Sequence, residues 1–445
     1  MSLSVSLSRA LVRLIRGQPT QPPDLEAAER YVRDWLGCHV AGRATPPGAA
    51  LTSYGQGMVD LEGRVFLAAA LSHITETDDL HRGSVTHPGC VVIPTALLLT
   101  RDREGTGAQA LRAVLAGYEA ILRVGESLGE EHYKTFHNTA TAGVFGSAAA
   151  ACSVLDLDED AWVWAMGNAG TQASGLWQFN EDATMSKHLH AGHAAAAGVR
   201  AALLAARGFT GPSEILEGER GFFRGFCPDP VPDAITREVI GWKLPETSMK
   251  PYPCCRHTHP AIDAALEIRD SLEGGPGGEL TSERIASVRI LTYPAALDVT
   301  NRPRPTTPYA AKFSMQYCVA RSLASGPPDL TSFEPNELSS DVLREWMSKT
   351  TVEVDARYEA AYPTHWGAEV VLTGVDGSLH RASRKDAVGD PERPLDDGAL
   401  NLKVLGLLDY GGVKGPAASD LLKECQALAE AAQVFSLPPL DAVES

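Results

Sequence analysis

Basic residues are in short supply: 39 Lys and Arg face 56 Asp and Glu, a formal charge of −17 over 445 residues. A nucleic-acid binder needs a basic footprint, and attachment to an anionic membrane surface needs a basic patch, so neither partner is expected. A small anionic substrate is still allowed, because a pocket can be locally basic inside an acidic chain. Cysteine is scarce as well. Eight are scattered through the chain, and the adjacent Cys254-Cys255 pair is not a CxxC motif. That excludes a disulfide scaffold and leads us to expect a reduced, cytoplasmic protein. Long apolar runs are missing. The uncharged stretch 138–155 is built from Gly, Ala, Ser and Thr rather than from large apolar residues. Arg9, Arg13 and Arg16 interrupt the N-terminal apolar stretch, so no signal peptide is expected. Cofactor motifs are lacking too. There is no GxxxxGK[ST], no GxGxxG between a strand and a helix, and no GxSxG elbow. No cofactor is expected, and the chemistry narrows to unaided side chains unless a metal is bound.

What remains is an ordinary globular balance, with 44% hydrophobic and 21% charged residues. The length suggests roughly two or three domains. Residues 1–245 read as successive helices, with apolar residues at three- and four-residue spacing in 25–36 and 108–128. Three stretches, 140–152, 161–175 and 191–206, are rich in Ala and Gly, which suits tightly packed, buried helices. Gly208 and Gly211-Pro212 stop the last of them. The texture then changes. Residues 288–293 and 350–358 are β-like, and 368–373 with 378–385 form a hairpin about Asp376-Gly377. Helical patches lie at 310–324 and 340–347, and helix returns at 399–410 and 420–434. The expected fold is a large all-helical domain, 1–248 with 392–445, carrying an inserted, smaller α+β lid domain, 249–391.

Five polar clusters stand among the apolar helices. The first, His73 to His87, packs three carboxylates (Glu76, Asp78, Asp79) and three histidines (His73, His81, His87) with Arg82 into fifteen residues. An N-cap with solvated neighbours is the plain alternative. The second ends at His137 before a small-residue helix. The third, Ser186 to His193, holds Lys187, His188, His190 and His193 at a helix start. The fourth, Lys250 to His259, contains Arg256 and His257. The fifth runs from Lys312 to Tyr317.

Two chemistries compete for these residues. His188, His190 and His193, or His257 and His259, with Asp78 or Asp79, offer metal ligands. None has HExxH spacing, and each group is interleaved with Lys or Arg, whose charge opposes a cation. The second chemistry fits the charges better, and no metal is expected. Lys187, Lys250, Arg256 and the histidines would bind carboxylates by charge-assisted hydrogen bonds. A histidine would move a proton near neutral pH, and ammonium groups would stabilise the negative charge that develops. This describes proton abstraction from a small polycarboxylate, followed by elimination, decarboxylation or reprotonation.

The stretches HITETDDLHRGSVTHPG, FHNTATAGVFGSAAAAC, SKHLHAGHAAAAGVRAALLAARGFTGP, KPYPCCRHTH and KFSMQYCVA, in that order, resemble the MmgE/PrpD family of 2-methylcitrate dehydratase, cis-aconitate decarboxylase and iminodisuccinate epimerase. The resemblance implies a helical domain formed by both chain ends, an α+β lid, an active site between them, no cofactor and a homodimer. It places catalytic residues at His87, His137, Lys187, Lys250 and Tyr317. The same clusters offer Glu76, Asp79, His81, Arg82, His190 and His257 as substrate contacts. One stretch departs from the family's H-x-L-D-F-D-D-T pattern. Here Glu76 replaces the early Asp, Leu80 replaces the Thr and cannot donate its hydrogen bond, and the run to His87 is one residue longer. The expected function is a lyase, a dehydratase or decarboxylase. An epimerase or other isomerase of a dicarboxylate is the alternative, and a non-catalytic helical binding or assembly protein the second.

Overall fold

The computed structural model describes residues 6–182, 184–273 and 280–436. The chain is mostly helical, with one small mixed sheet in its C-terminal part. It divides into two compact units. The first comprises Met1–Ile74, Asp78–Met249 and Asp396–Ser445, and the second Thr75–Thr77 and Lys250–Leu395.

The first unit is helical. Its main helices are α1 (Leu7–Gly17), α2 (Pro22–Arg43), α3 (Leu61–Ser72), α4 (Pro88–Asp102), α5 (Gly107–Glu126), α6 (Asn138–Val154), α7 (Glu159–Gly170) and α8 (Ser186–Ala205). Helix α6 lies at the centre, packed against α4, α5, α7 and α8. It is buried on every face from Asn138 to Cys152, as its small, uncharged sequence requires. Glycine permits the close approach. A Cβ on Gly117 of α5 would stand 2.9 Å from the Gly146 carbonyl of α6, and one on Gly198 of α8 would stand 2.4 Å from Ser147 Cβ.

Helix Asp397–Tyr410 packs on α2. The contact is partly ionic. Arg33, buried and paired at 2.6 Å with Glu29, also donates to Asn401 at 2.7 Å, and Lys403 pairs with Asp34. Two stretches differ from the expectation of continuous helix. After Ala205 the chain runs mainly through loops and short turns to Met249, because Gly and Pro recur too often for a helix to propagate. In the tail, among the described residues, helix Gly415–Gln426 is followed only by the 3₁₀ turn Leu428–Glu430.

The second unit holds strands β1 (Ile285–Thr292), β2 (Thr350–Val354), β3 (Ala368–Gly374) and β4 (Leu379–Arg384), in the order β2-β1-β3-β4. Strands β1 and β2 are parallel and the other pairs antiparallel. The hairpin turns at Asp376-Gly377, where Gly377 has φ 83°. Helix His259–Glu273 covers β3 and β4, and Met315–Ser325 packs behind it. The helical patch expected at 310–324 is broken at Phe313-Ser314, where Ser314 Oγ accepts from Tyr317 N at 3.0 Å and caps the second piece. The alternation expected through 358 ends at Val354, because Asp355 caps a short helix, Ala356–Ala361.

Gly107 sits under the tail: a Cβ there would lie 1.7 Å from the Leu428 carbonyl, whereas exposed Gly406, inside its helix, faces open space. Gly107→Ala should therefore destabilise the protein by about 1–3 kcal/mol through overpacking. Gly406→Ala should stabilise it by about 0.5–1 kcal/mol. Denaturant melts of the two variants check both signs.

Candidate active site

In the first unit, the connection from α3 to α4 carries an unusual load of buried polar side chains. His73, Asp78, Asp79, His81 and His87 are all buried. Asp78 organises them. Its Oδ2 lies 2.6 Å from His73 Nδ1 and 3.2 Å from His87 Nδ1. Burial alone would raise this carboxyl. The neighbouring His87 and His73 outweigh it and hold Asp78 well below the ordinary carboxylate range.

The remaining imidazoles come from helix starts. His137 precedes α6 and is fixed by its N–H, which donates to the Gly175 carbonyl at 3.0 Å. The His87 N–H donates to Thr139 Oγ1 at 3.0 Å, tying the first cluster to the second. His137 stacks on His73 with centroids 5.7 Å apart and planes at 13°, and its Nδ1 lies 3.4 Å from that of His190 in α8. Trp177 and Phe179 pack on His137 at 5.4 and 5.6 Å. Burial pushes His137 well below its ordinary pKa, and the charges of His73 and Lys187 push it further. Burial, with His73 and His193 beside it, lowers His190 to about 4. Both rings are therefore neutral at pH 7. Lys187, on the first turn of α8, is buried. Among the described residues, His73 Nε2, Asp78 Oδ1 and Asn138 Oδ1 are buried without a protein hydrogen bond, so polar capacity remains here for a ligand.

Asp79 and His81 face other partners. Asp79 Oδ1 accepts from Gly89 N at 3.0 Å, and its Oδ2 lies 2.6 Å from the Tyr118 hydroxyl. Burial pushes its carboxyl up to about 8. His81 Nδ1 lies 2.9 Å from Ser84 Oγ, and its Nε2 stands 3.7 and 3.6 Å from Glu126 and Glu246. Lys243 joins both carboxylates at 3.0 and 2.6 Å. Burial opposes the charge on Glu246, but hydrogen bonds from His81 and Lys243 bring it down to about 2. Arg82 is half-buried.

The second unit holds the other expected residues. Lys250 Nζ lies 3.3 Å from Glu76 Oε2 and donates to the Glu76 carbonyl at 3.2 Å, both side chains being buried. Glu76 has φ 59°, a left-handed conformation rare outside glycine. Lys312 donates to the Thr75 carbonyl at 2.6 Å. His257 Nδ1 lies 2.6 Å from the Tyr293 hydroxyl, and its ring stacks on Trp366 at 4.3 Å. Burial, with Arg256 and Lys250 adding to it, lowers His257 to about 3. The Tyr317 hydroxyl donates to the Ser332 carbonyl at 2.5 Å, and burial raises its pKa. Arg256 pairs with Asp390, both fully buried.

The first unit thus brings His87, His137, Lys187 and His190 into one neighbourhood with His73 and Asp78, and the second pairs Lys250 with Glu76. Sequence reasoning counted His73 and Asp78 in the first cluster, and Asp78 as a possible metal ligand, without naming either as a catalytic or substrate contact, and it missed the aromatic wall of Trp177 and Phe179. The only signal was the spacing of His73 and Asp78 inside the first cluster. Three described groups bring possible metal ligands within 4.8 Å of one another: His73, Asp78 and Cys90; His81, Glu126 and Glu246; and His365, Asp386 and Glu392. Lys243 already bridges the two carboxylates of the second. In the first, burial, then Asp78 and Asp79, push the Cys90 thiol well up, which disfavours the thiolate a metal needs. Of the histidines offered as ligands by the sequence, His193 faces the Gln172 carbonyl at 3.1 Å and His259 that of Cys254 at 3.2 Å.

The N-terminal domain of MmgE/PrpD proteins matches residues 12–234, and the C-terminal domain matches 252–426. The chain belongs to the MmgE/PrpD family. Human cis-aconitate decarboxylase is 28% identical over 353 residues, covering 76% of this chain and 70% of that protein. The mouse enzyme is 28% identical over 351 residues, with the same shares covered. A cis-aconitate decarboxylase-like protein of Aspergillus oryzae is 25% identical over 370 residues, covering 77% of this chain and 74% of that protein.

The raised Asp79 gives this MmgE/PrpD protein a pH signature. A carboxyl whose folded pKa lies above its unfolded value of about 3.9 binds a proton more tightly when folded. Its contribution is complete below that value and is lost as pH rises towards about 8. Asp79→Asn keeps the protonated shape, with Oδ1 towards Gly89 and the amide towards Tyr118. Stability curves should show wild type losing ground to the variant between about pH 4 and 8. Parallel curves would mean that Asp79 is ionised in the folded protein.

Proposed function

We propose that the protein is a lyase that decarboxylates or dehydrates a small polycarboxylate without a cofactor, with cis-aconitate the first substrate to test. The reading is supported most by one observation. Two imidazoles of the same unit have opposite electrostatic surroundings, the arrangement by which proteins separate an acid from a base. Neutral His137, beside Lys187, is suited to accept a proton. Asp78, a buried carboxylate 3.2 Å from His87, is suited to stabilise an imidazolium there as it forms. In decarboxylation a C–C bond breaks, CO₂ leaves, and the electron pair left behind takes up a proton. His87 would deliver that proton. In dehydration His137 would instead take a proton from carbon as the C=C bond forms, and His87 would give its proton to the departing hydroxide, which leaves as water. Lys187 would hold a carboxylate by a charge-assisted bond. The family pattern gives Lys250 the same task and Tyr317 that of a second acid. On this reading the working form is a homodimer in the cytoplasm.

A dicarboxylate epimerase is the second reading, favoured by the pairing of His87 and His137 as two proton-transfer groups and by Glu76, whose carboxylate lies against Lys250 and departs from the Asp of the family pattern. Proton NMR in D₂O separates the two. A lyase shows net loss of CO₂ or water, whereas an epimerase shows deuterium uptake without net conversion.

With cis-aconitate, His87→Gln should lower kcat by about 10²–10⁴-fold with little change in KM. Lys187→Ala should mainly raise KM. A kcat within a few-fold of wild type for both His137→Gln and His87→Gln, in folded protein, would remove histidine from the mechanism.

A further inference from the structure

The imidazole cluster has an annex. A cavity of about 690 Å³ in the first unit is lined by Leu176, Phe179 and Leu189, with Gln178, His190 and His193 among its polar walls. Leu176 and Leu189 are 57% and 51% exposed and give the cavity apolar walls. The cavity adjoins the proton-transfer residues directly. His190 forms one wall and stands 3.4 Å from His137, and the Phe179 ring packs on both imidazoles, at 5.4 and 5.6 Å. Gly175 lines the cavity beside His190. It has φ 126°, and a Cβ there would meet Ala140 Cβ at 2.6 Å and His190 Nδ1 at 3.2 Å.

The lining also says what the cavity excludes. Among the described residues, no Lys or Arg faces it, and its single acidic residue, Asp182, would repel an anion. Asp182 is engaged by the Gln178 amide at 3.2 Å on both oxygens. A substrate carboxylate has no counter-charge here, so the carboxylates must stay on the Lys187 side and the cavity must take something uncharged. We propose that the cavity receives an apolar substituent, and that the enzyme prefers a polycarboxylate bearing an alkyl or aryl group to a compact acid such as cis-aconitate. The proposal rests on the reading of the imidazole cluster as a polycarboxylate site.

Calorimetric titration with succinate and with 2-butylsuccinate tests it. Each methylene buried from water is worth about four-fold in affinity. Butylsuccinate should therefore bind more tightly than succinate, by at least about ten-fold. In Leu189→Asp, a change at a half-exposed position, the ratio of the two affinities should fall to about one, and Leu176→Asp should act in the same direction. Equal binding of the two diacids by wild type, or a ratio that Leu189→Asp leaves intact, overturns the annex and leaves the polycarboxylate reading standing. If neither diacid nor cis-aconitate binds, both fall together. A preference for a 2-(4-aminobutyl)succinate over the butyl compound would assign the cavity to a cation held by Asp182 and would also overturn the proposal.

Discussion

A carboxylate taken out of water is tolerated only where something compensates it, and Asp78 is the place where this fold meets that constraint. Its Oδ2 is shared by His73 and His87. His73, held there, presents a flat face to His137, and His137 in turn approaches His190. Four imidazoles are thus ordered by one charge. Without that charge the rings would be buried polar groups with few partners and no reason to keep their mutual angles. With it, the rings of one neighbourhood differ in character. His73 and His87 touch the carboxylate, while His137, beside Lys187 and other rings, and His190, beside His73 and His193, stay neutral.

The helices serve this arrangement. Small residues along α6 allow α4, α5 and α8 to close on it, and the N-terminal ends of α4, α6 and α8 deliver His87, His137 and Lys187. The same closeness fixes the connections. The His87 N–H reaches Thr139, and the His137 N–H reaches Gly175. Polar groups that would be costly alone are satisfied by neighbouring backbone and hydroxyls.

Much of this was legible in the sequence. The Ala- and Gly-rich runs announced buried helices because no amphipathic stripe could be drawn on them, and the Asp376-Gly377 turn announced its hairpin. The density of charge between His73 and His87 marked that stretch as a candidate site. Its internal division was not legible. Asp78 and Asp79 are neighbours in sequence, yet one is held ionised between two imidazoles and the other is pushed towards neutrality against Tyr118. That difference is set by which residues of distant helices face each oxygen, information that spacing along the chain does not carry. His81 likewise looked like a member of the cluster, but Lys243, Glu126 and Glu246 surround it. Trp177 and Phe179 carried no signal at all, since an aromatic residue in a loop reads as ordinary packing.

The central claim is that His137 is a neutral imidazole in a cluster organised by Asp78. Nitrogen-15 NMR of protein labelled at histidine, titrated from pH 8 to pH 5 and assigned by His137→Gln, tests it most directly. The account predicts one neutral tautomer for His137 across the whole range, and a different signal for it when Asp78 is replaced by Asn. A His137 that titrates near the ordinary histidine value of about 6.5, with the same curve in Asp78→Asn, would contradict the account.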